Sequence, residues 1–269
     1  MNTILLENEA SYNFYPAQQQ KGIVIYLHGG GLIYGSKIDI PSTLINIFNE
    51  SNYSVIALDY LLAPNSSLKD IIDDLEISLD QLLNTTFKGT PFILCGRSAG
   101  AFLCNLIYKN MIIKNNMQAE KLILFYGYYN LDFYESVPDK LNIVDRFKEV
   151  PKIDTKNPIR DDKFFNRYLY YQNALNNNSM ISELKIDPSN NQYRVEMEEF
   201  KLFPPTFLTA SVNDKEVPFS YSKNQHKASK NSKFYPMYYL EHDFLSEIEN
   251  PEVINLLNKL KLWLNNELQ

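Results

Sequence analysis

Residues Gly96, Arg97, Ser98, Ala99 and Gly100 form a G-x-S-x-G pattern between the apolar run FILC and the helical run AFLCNLIY. That junction gives the pattern its meaning. A serine on a tight, strained strand-to-helix turn presents its hydroxyl outward, and small residues two positions either side let strand and helix approach closely. The helix N-terminus beneath favours negative charge developing on an acyl oxygen. The chemistry this predicts is acyl transfer, with Ser98 attacking a carbonyl.

A serine hydroxyl is a weak nucleophile until a base takes its proton, and the usual base is an imidazole held by a carboxylate. The chain has 3 histidines. His28 opens the run His28-Gly29-Gly30-Gly31 after IVIYL and is expected to brace that loop through its ring nitrogens. His226, in the polar run SYSKNQHKASK, reads as an exposed helix residue. His242, in EHDFL after FYPMYYL, remains as the base by position and by elimination. Asp214, in SVNDKEVP after FLTA, is the preferred carboxylate because it keeps the chain order Ser, Asp, His; Glu216 and Asp243 are its competitors. Glycines leave backbone N–H groups unshielded, so the loop after IVIYL is the expected site for an oxyanion. This chemistry needs no metal and no cofactor.

These residues require a scaffold that brings strand ends together. Short apolar runs at 23–27 (IVIYL), 55–58 (VIAL), 92–95 (FILC), 122–125 (LILF), 207–210 (FLTA) and 234–240 (FYPMYYL) read as buried strands, the last near an edge because of Pro236. They alternate with helical periodicity: Leu68, Ile71, Ile72, Leu75, Leu79, Leu82 and Leu83 share one face, and Val253, Leu256, Leu257, Leu260, Leu262 and Trp263 form a stripe in a terminal helix opened by Pro251. The fold class predicted is α/β, a mostly parallel central sheet with helices on both faces. Residues 131–202 break the rhythm and are expected to form an inserted cap, helical over 164–175 with Phe165, Tyr168, Leu169 and Leu175 on one face. Residues 1–130 and 203–269 then make up the catalytic core of a single domain, and the asparagines at 176–178 a surface turn.

Across 269 residues, 45% are hydrophobic, with 19 Tyr and 16 Phe, enough for a sizeable core and an aromatic pocket. The net charge of -6 argues against nucleic acid and anionic lipid as partners. Cys95 and Cys104 are expected to be free buried thiols. The N-terminal residues lack the pattern of a secretory signal and no stretch is apolar enough to span a membrane, so a cytoplasmic protein is expected. Oligomeric state stays open, a homodimer included.

The motifs resemble those of hormone-sensitive-lipase-like carboxylesterases and neighbouring acetylesterases and small lipases of the α/β-hydrolase superfamily. HGGGLIYGS is similar to their oxyanion loop, LDYLLAPNSSLKDIIDDL to their D-Y-R-L-A-P segment with its downstream Asp, here Asp74, and GRSAG to their nucleophile elbow. FPPTFLTASVNDKEVP and EHDFL resemble their acid and base segments. The resemblance implies an α/β-hydrolase fold and oxyanion donors at the backbone N–H groups of Gly30, Gly31 and Ala99. Two positions depart from it: Leu61 stands where the family usually carries Arg, and Arg97 where many members carry an acidic residue, so different ion pairing is expected around the elbow. The function implied is a serine esterase acting on short- to medium-chain carboxylic esters. The rival readings are an amidase, arylformamidase or small peptidase on the same scaffold, or a noncatalytic ligand sensor.

Overall fold

The computed structural model describes residues 3–112, 118–135, 152–187 and 192–267. Each expected apolar run forms a strand: β3 (Gly22–Leu27), β4 (Tyr53–Leu58), β5 (Phe92–Arg97), β6 (Lys121–Phe125), β7 (Thr206–Ser211) and β8 (Ser232–Met237). These six pair in parallel. Along β3, Ile23, Ile25 and Leu27 enter one core while Val24 and Tyr26 enter the other. With both faces covered, the run must be apolar throughout rather than alternating.

Two strands were not foreseen. β1 (Thr3–Leu5) and β2 (Ser11–Tyr15) add antiparallel to the edge, giving the order β1-β2-β4-β3-β5-β6-β7-β8. Both are short, and β1 is exposed along its length, so neither carries the apolar run that betrays a central strand. β8 takes the opposite edge, in keeping with Pro236, but it stops at Met237 rather than Leu240. The chain departs from extended geometry at Tyr239, whose φ is 61°.

One face of the sheet is covered by α1 (Ser42–Glu50) and α7 (Pro251–Leu264), the other by α2 (Leu68–Gln81), α3 (Ala99–Ile107) and α6 (Ser220–Ala228). The α2 stripe is buried as its periodicity predicts, and Ser67 and Asp70 close a reciprocal capping box at its start. In α7 Leu262 is exposed and Leu264 is buried in its place, because 100° per residue carries position 262 off the stripe of 253, 256, 257, 260 and 263. Cys95 and Cys104 are buried on opposite faces of the sheet and are free.

Between β6 and β7 lie α4 (Tyr168–Asn176) and α5 (Met180–Glu183); parts of the expected cap, at 136–151 and 188–191, fall outside the described residues. Helix α4 begins later than the sequence suggests and buries Tyr171, Gln172, Ala174 and Leu175, whereas Phe165 is exposed with φ 52°. The cause is local: the Asp162 carboxylate accepts the backbone N–H groups of Asn166 (3.1 Å) and Arg167 (2.9 Å) and holds this stretch in a turn. Of the asparagines at 176–178, Asn176 ends α4 and Asn177 and Asn178 form a turn, with φ 53° at Asn178. Because β3 to β8 run parallel, the chain leaves every one of them at the same edge, where ligands bind in open α/β sheets. Among the described residues, no helix is long and apolar enough to cross a membrane.

Candidate active site

Ser98 leaves β5 with φ 50° and ψ -116°, a conformation that a non-glycine residue holds only when its surroundings over-determine it. They do. The Ser98 N–H donates to Phe125 O at 2.9 Å, and α3 starts at the next residue. A Cβ on Gly100 would lie 2.1 Å from Leu27 O, and one on Gly96 2.3 Å from the Gly100 carbonyl carbon. The small residues flanking the serine are therefore a steric requirement of strand-helix contact.

The elbow delivers Ser98 Oγ to 2.8 Å from His242 Nε2, and His242 Nδ1 lies 2.6 Å from Asp214 Oδ2. Both contacts are met when Nδ1 carries the proton and Nε2 accepts from the hydroxyl. Asp214 is itself fixed: its Oδ1 accepts the backbone N–H groups of Glu216 and Val217, each at 2.9 Å, and its side chain is fully buried. Neither rival carboxylate touches the imidazole. Glu216 accepts from Tyr171, and Asp243 from Arg97 and Tyr126.

Burial opposes a charge on His242, but Asp214, Glu216 and Asp243 together outweigh it and push the imidazole up to about 9. The site thus favours the imidazolium that would form if this ring took the Ser98 proton.

The glycine loop faces the same space. Gly30 O accepts the N–H groups of Ile33 (3.0 Å) and Tyr34 (3.1 Å), which curls the loop into a turn. Gly31 has φ 60°, and a Cβ there would meet the Tyr171 ring at 2.2 Å. Among the described residues, the N–H groups of Gly30, Gly31 and Ala99 have no acceptor. His28 braces the loop, though with one ring nitrogen rather than two: Nδ1 lies 2.7 Å from Gly29 O, Nε2 has no partner among the described residues, and the ring stacks on Tyr60 at 4.2 Å. Tyr60 OH also donates to His28 O at 2.8 Å.

A cleft of about 410 Å³ opens over Ser98 and His242, walled by Gly29, Gly30 and Gly31, by the aromatic rings of Tyr34, Phe165 and Tyr171, and by Leu245 and Ile248. His226 lies elsewhere. It is half-buried in α6, with Nδ1 2.8 Å from Ser232 Oγ, and is not the free surface residue its polar neighbours suggested.

Several residues around the site were not assigned a role from the sequence. Asp39 and Tyr126 line the cleft through loops after β3 and β6. Arg167, buried, donates to the carbonyls of Ile33 (3.1 Å) and Ala63 (2.9 Å) and so pins the loop that follows the glycines. Lys37 and Asp59 form a buried ion pair beneath it. Asp74, singled out as a motif residue, pairs with Arg160 from the segment between β6 and β7. Arg97 stands out in the sequence by its departure from the expected residue type.

A family model described as alpha/beta hydrolase fold matches residues 24–244. Among solved structures, an alpha/beta hydrolase superfamily protein from Enterococcus faecalis is 36% identical, with 98% of each chain covered and a TM-score of 0.90. A protein of unknown function from Staphylococcus aureus subsp. aureus Mu50 is 26% identical over 100% of this chain and 99% of its own, with a TM-score of 0.80. Carboxyl esterase 2 from the fungus Tuber melanosporum shares the fold at 17% identity, covering 100% of this chain and 88% of its own, with a TM-score of 0.69. Among curated proteins, none matches this sequence. The extent of the family match and the identity to the Enterococcus protein place the conclusion beyond the motifs alone: the chain belongs to the alpha/beta hydrolase fold family, in the hormone-sensitive-lipase-like group that its motifs resemble.

Proposed function

We propose that this protein is a serine carboxylesterase that cleaves short- to medium-chain carboxylic esters through an acyl-enzyme on Ser98. The observation that carries the proposal is the continuous hydrogen-bonded chain from Ser98 Oγ through His242 to Asp214, at 2.8 and 2.6 Å, at the floor of the cleft. Fold neighbours named as esterases support the reaction class.

In the proposed cycle His242 takes the Ser98 proton as Oγ attacks the acyl carbonyl. The oxyanion is received by the free N–H groups of Gly30, Gly31 and Ala99, each such donor being worth about 3 kcal/mol of barrier. Protonated His242 then gives its proton to the leaving alcohol, and a water deprotonated by the same imidazole releases the acid. Asp214 holds the tautomer. From the described part of the segment between β6 and β7, Phe165 and Tyr171 contribute aromatic surface to the cleft, which favours acyl chains that fit about 410 Å³.

The triad does not by itself distinguish ester from amide. A panel of p-nitrophenyl esters of increasing chain length, run beside matched amides, tests the assignment. Turnover that peaks at short or medium esters is expected; amide cleavage without ester turnover would overturn the esterase reading in favour of an amidase or small peptidase. Labelling of Ser98 by a fluorophosphonate, lost in Ser98→Ala, separates an enzyme from a noncatalytic sensor.

A further inference from the structure

Arg97, the last residue of β5, holds its guanidinium between two carboxylates from different parts of the site. Nη2 donates to Asp39 Oδ2 at 2.7 Å and Nη1 to Asp243 Oδ1 at 2.9 Å. Asp39 lies on the turn that continues from the glycine loop, and its other oxygen accepts Tyr26 OH at 3.0 Å. Asp243 Oδ1 also accepts Tyr126 OH at 2.8 Å, and the Tyr126 ring meets the His242 imidazole edge-on at 4.8 Å. The residue just before Ser98 is thus bonded to the residue just after His242, across 146 positions of chain.

Asp214 orients the imidazole ring but does not anchor the backbone that carries it. His242 sits in irregular chain beyond β8, between the left-handed Tyr239 and a short turn at Phe244–Ser246. On its N-terminal side the segment is tied to the end of β7, where Ser211 Oγ donates to Leu240 O at 2.6 Å; on the C-terminal side of His242, among the described residues, the Asp243 side chain is held by Arg97 and Tyr126, each at the end of a central strand.

We propose that Arg97 is a positioning residue: through Asp243 it sets the approach of His242 to Ser98, and through Asp39 it holds the continuation of the glycine loop against the same elbow. The proposal rests on Ser98 being the nucleophile. Guanidinium chemistry suits the task, because a planar fork offers two donors in fixed directions where an ammonium offers one point charge. The Arg97 side chain is only 9% exposed and that of Asp39 10%, but that of Asp243 is 55% exposed, so the Asp243 arm works by geometry more than by strength.

The test is the rate at which a fluorophosphonate modifies Ser98, a reaction that needs the serine and imidazole aligned but no particular ester. Misplacement of reacting groups by about 1 Å costs on the order of 100-fold. Arg97→Lys, which keeps a cation beside Asp39, and Asp243→Ala, at the exposed end of the network, are each expected to slow labelling by about 10-fold. Asp243→Asn retains an acceptor oxygen and should recover most of that loss. The Arg97→Lys/Asp243→Ala double variant should be no more than about 3-fold slower than the slower single, because both act along one path.

Wild-type rates in both singles would overturn the proposal, as would losses that multiply fully in the double. Asp243→Asn as slow as Asp243→Ala would assign the effect to charge and overturn the positioning role. A wild-type protein that does not label at Ser98 would remove the serine hydrolase reading and this proposal together, whereas labelling that the variants leave unchanged removes this proposal alone.

Discussion

Tyr171 OH donates to Glu216 Oε2 at 3.0 Å, joining helix α4 to the loop that carries Asp214. Burial first, and then the Glu216 charge, raises the phenol well above its usual range, so it stays protonated and remains a donor. The bond keeps a second carboxylate close to His242, where it acts on the imidazole without touching it.

A pH dependence follows. His242 must be neutral to act as a base, and although burial lowers its pKa, Asp214 and Glu216 raise it to about 9. Activity is therefore expected to be lost as pH falls through that value, with the ascending limb of kcat/KM well above the ordinary imidazole range near 6.5. Glu216→Gln should move the limb to lower pH and leave the plateau nearly unchanged; a limb that stays in place would argue against the role of Glu216. For stability the sign is reversed. A raised folded-state pKa means that protonated His242 stabilises the fold below about pH 6.5, and this contribution disappears as pH rises through about 9, which thermal melts across that window would detect.

Substitutions in the triad should be severe for catalysis. Ser98→Ala and His242→Ala are expected to lower kcat by about 10⁴-fold or more. Asp214→Asn should cost about 10⁴-fold, since an amide at that position favours the wrong tautomer. A harmless Asp214→Asn beside a crippling Glu216→Gln in steady-state assays would transfer the carboxylate role to Glu216.

Charge in the cleft should select substrates. Asp39, Glu216 and Asp243 line it against Arg97, whose guanidinium is already shared by two of them, and His242, which is charged below about pH 9. Esters with a free carboxylate on the acyl chain are expected to show a higher KM than neutral isosteres, and the gap should narrow as salt screens it. Equal KM values at low ionic strength would show that the carboxylates do not reach the substrate.

Beneath the glycine loop, Lys37 and Asp59 are paired with side-chain exposures of 3% and 1%. Lys37 N–H also donates to Asp59 Oδ1 at 2.6 Å, and Lys37 Nζ to Ser11 Oγ at 2.8 Å. Removing one partner leaves an uncompensated buried charge, so Lys37→Met should destabilise the protein by about 3–5 kcal/mol in denaturant titration. The Lys37→Met/Asp59→Leu double variant should recover much of that loss, because it leaves no charge stranded.

The amino-acid sequence by itself determined the central strands, the elbow at Ser98 and the glycine loop, because each is written in consecutive residues: an apolar run buried on both faces, or a turn that tolerates only small neighbours. Chain order and the scarcity of histidines extended this to Asp214 and His242, since parallel strands must release their loops at one edge. Only the tertiary structure decided the rest. The strands Thr3–Leu5 and Ser11–Tyr15 owe their conformation to pairing at a sheet edge, the late start of α4 to the turn at Asp162, and the surroundings of His226 to Ser232. Arg97 makes the division plain. Its type announced an unusual ion pair, but its partners at 39 and 243 lie far along the chain in opposite directions. A buried charge is answered by whatever carboxylate the fold brings within about 3 Å, and that distance is set in space rather than along the chain.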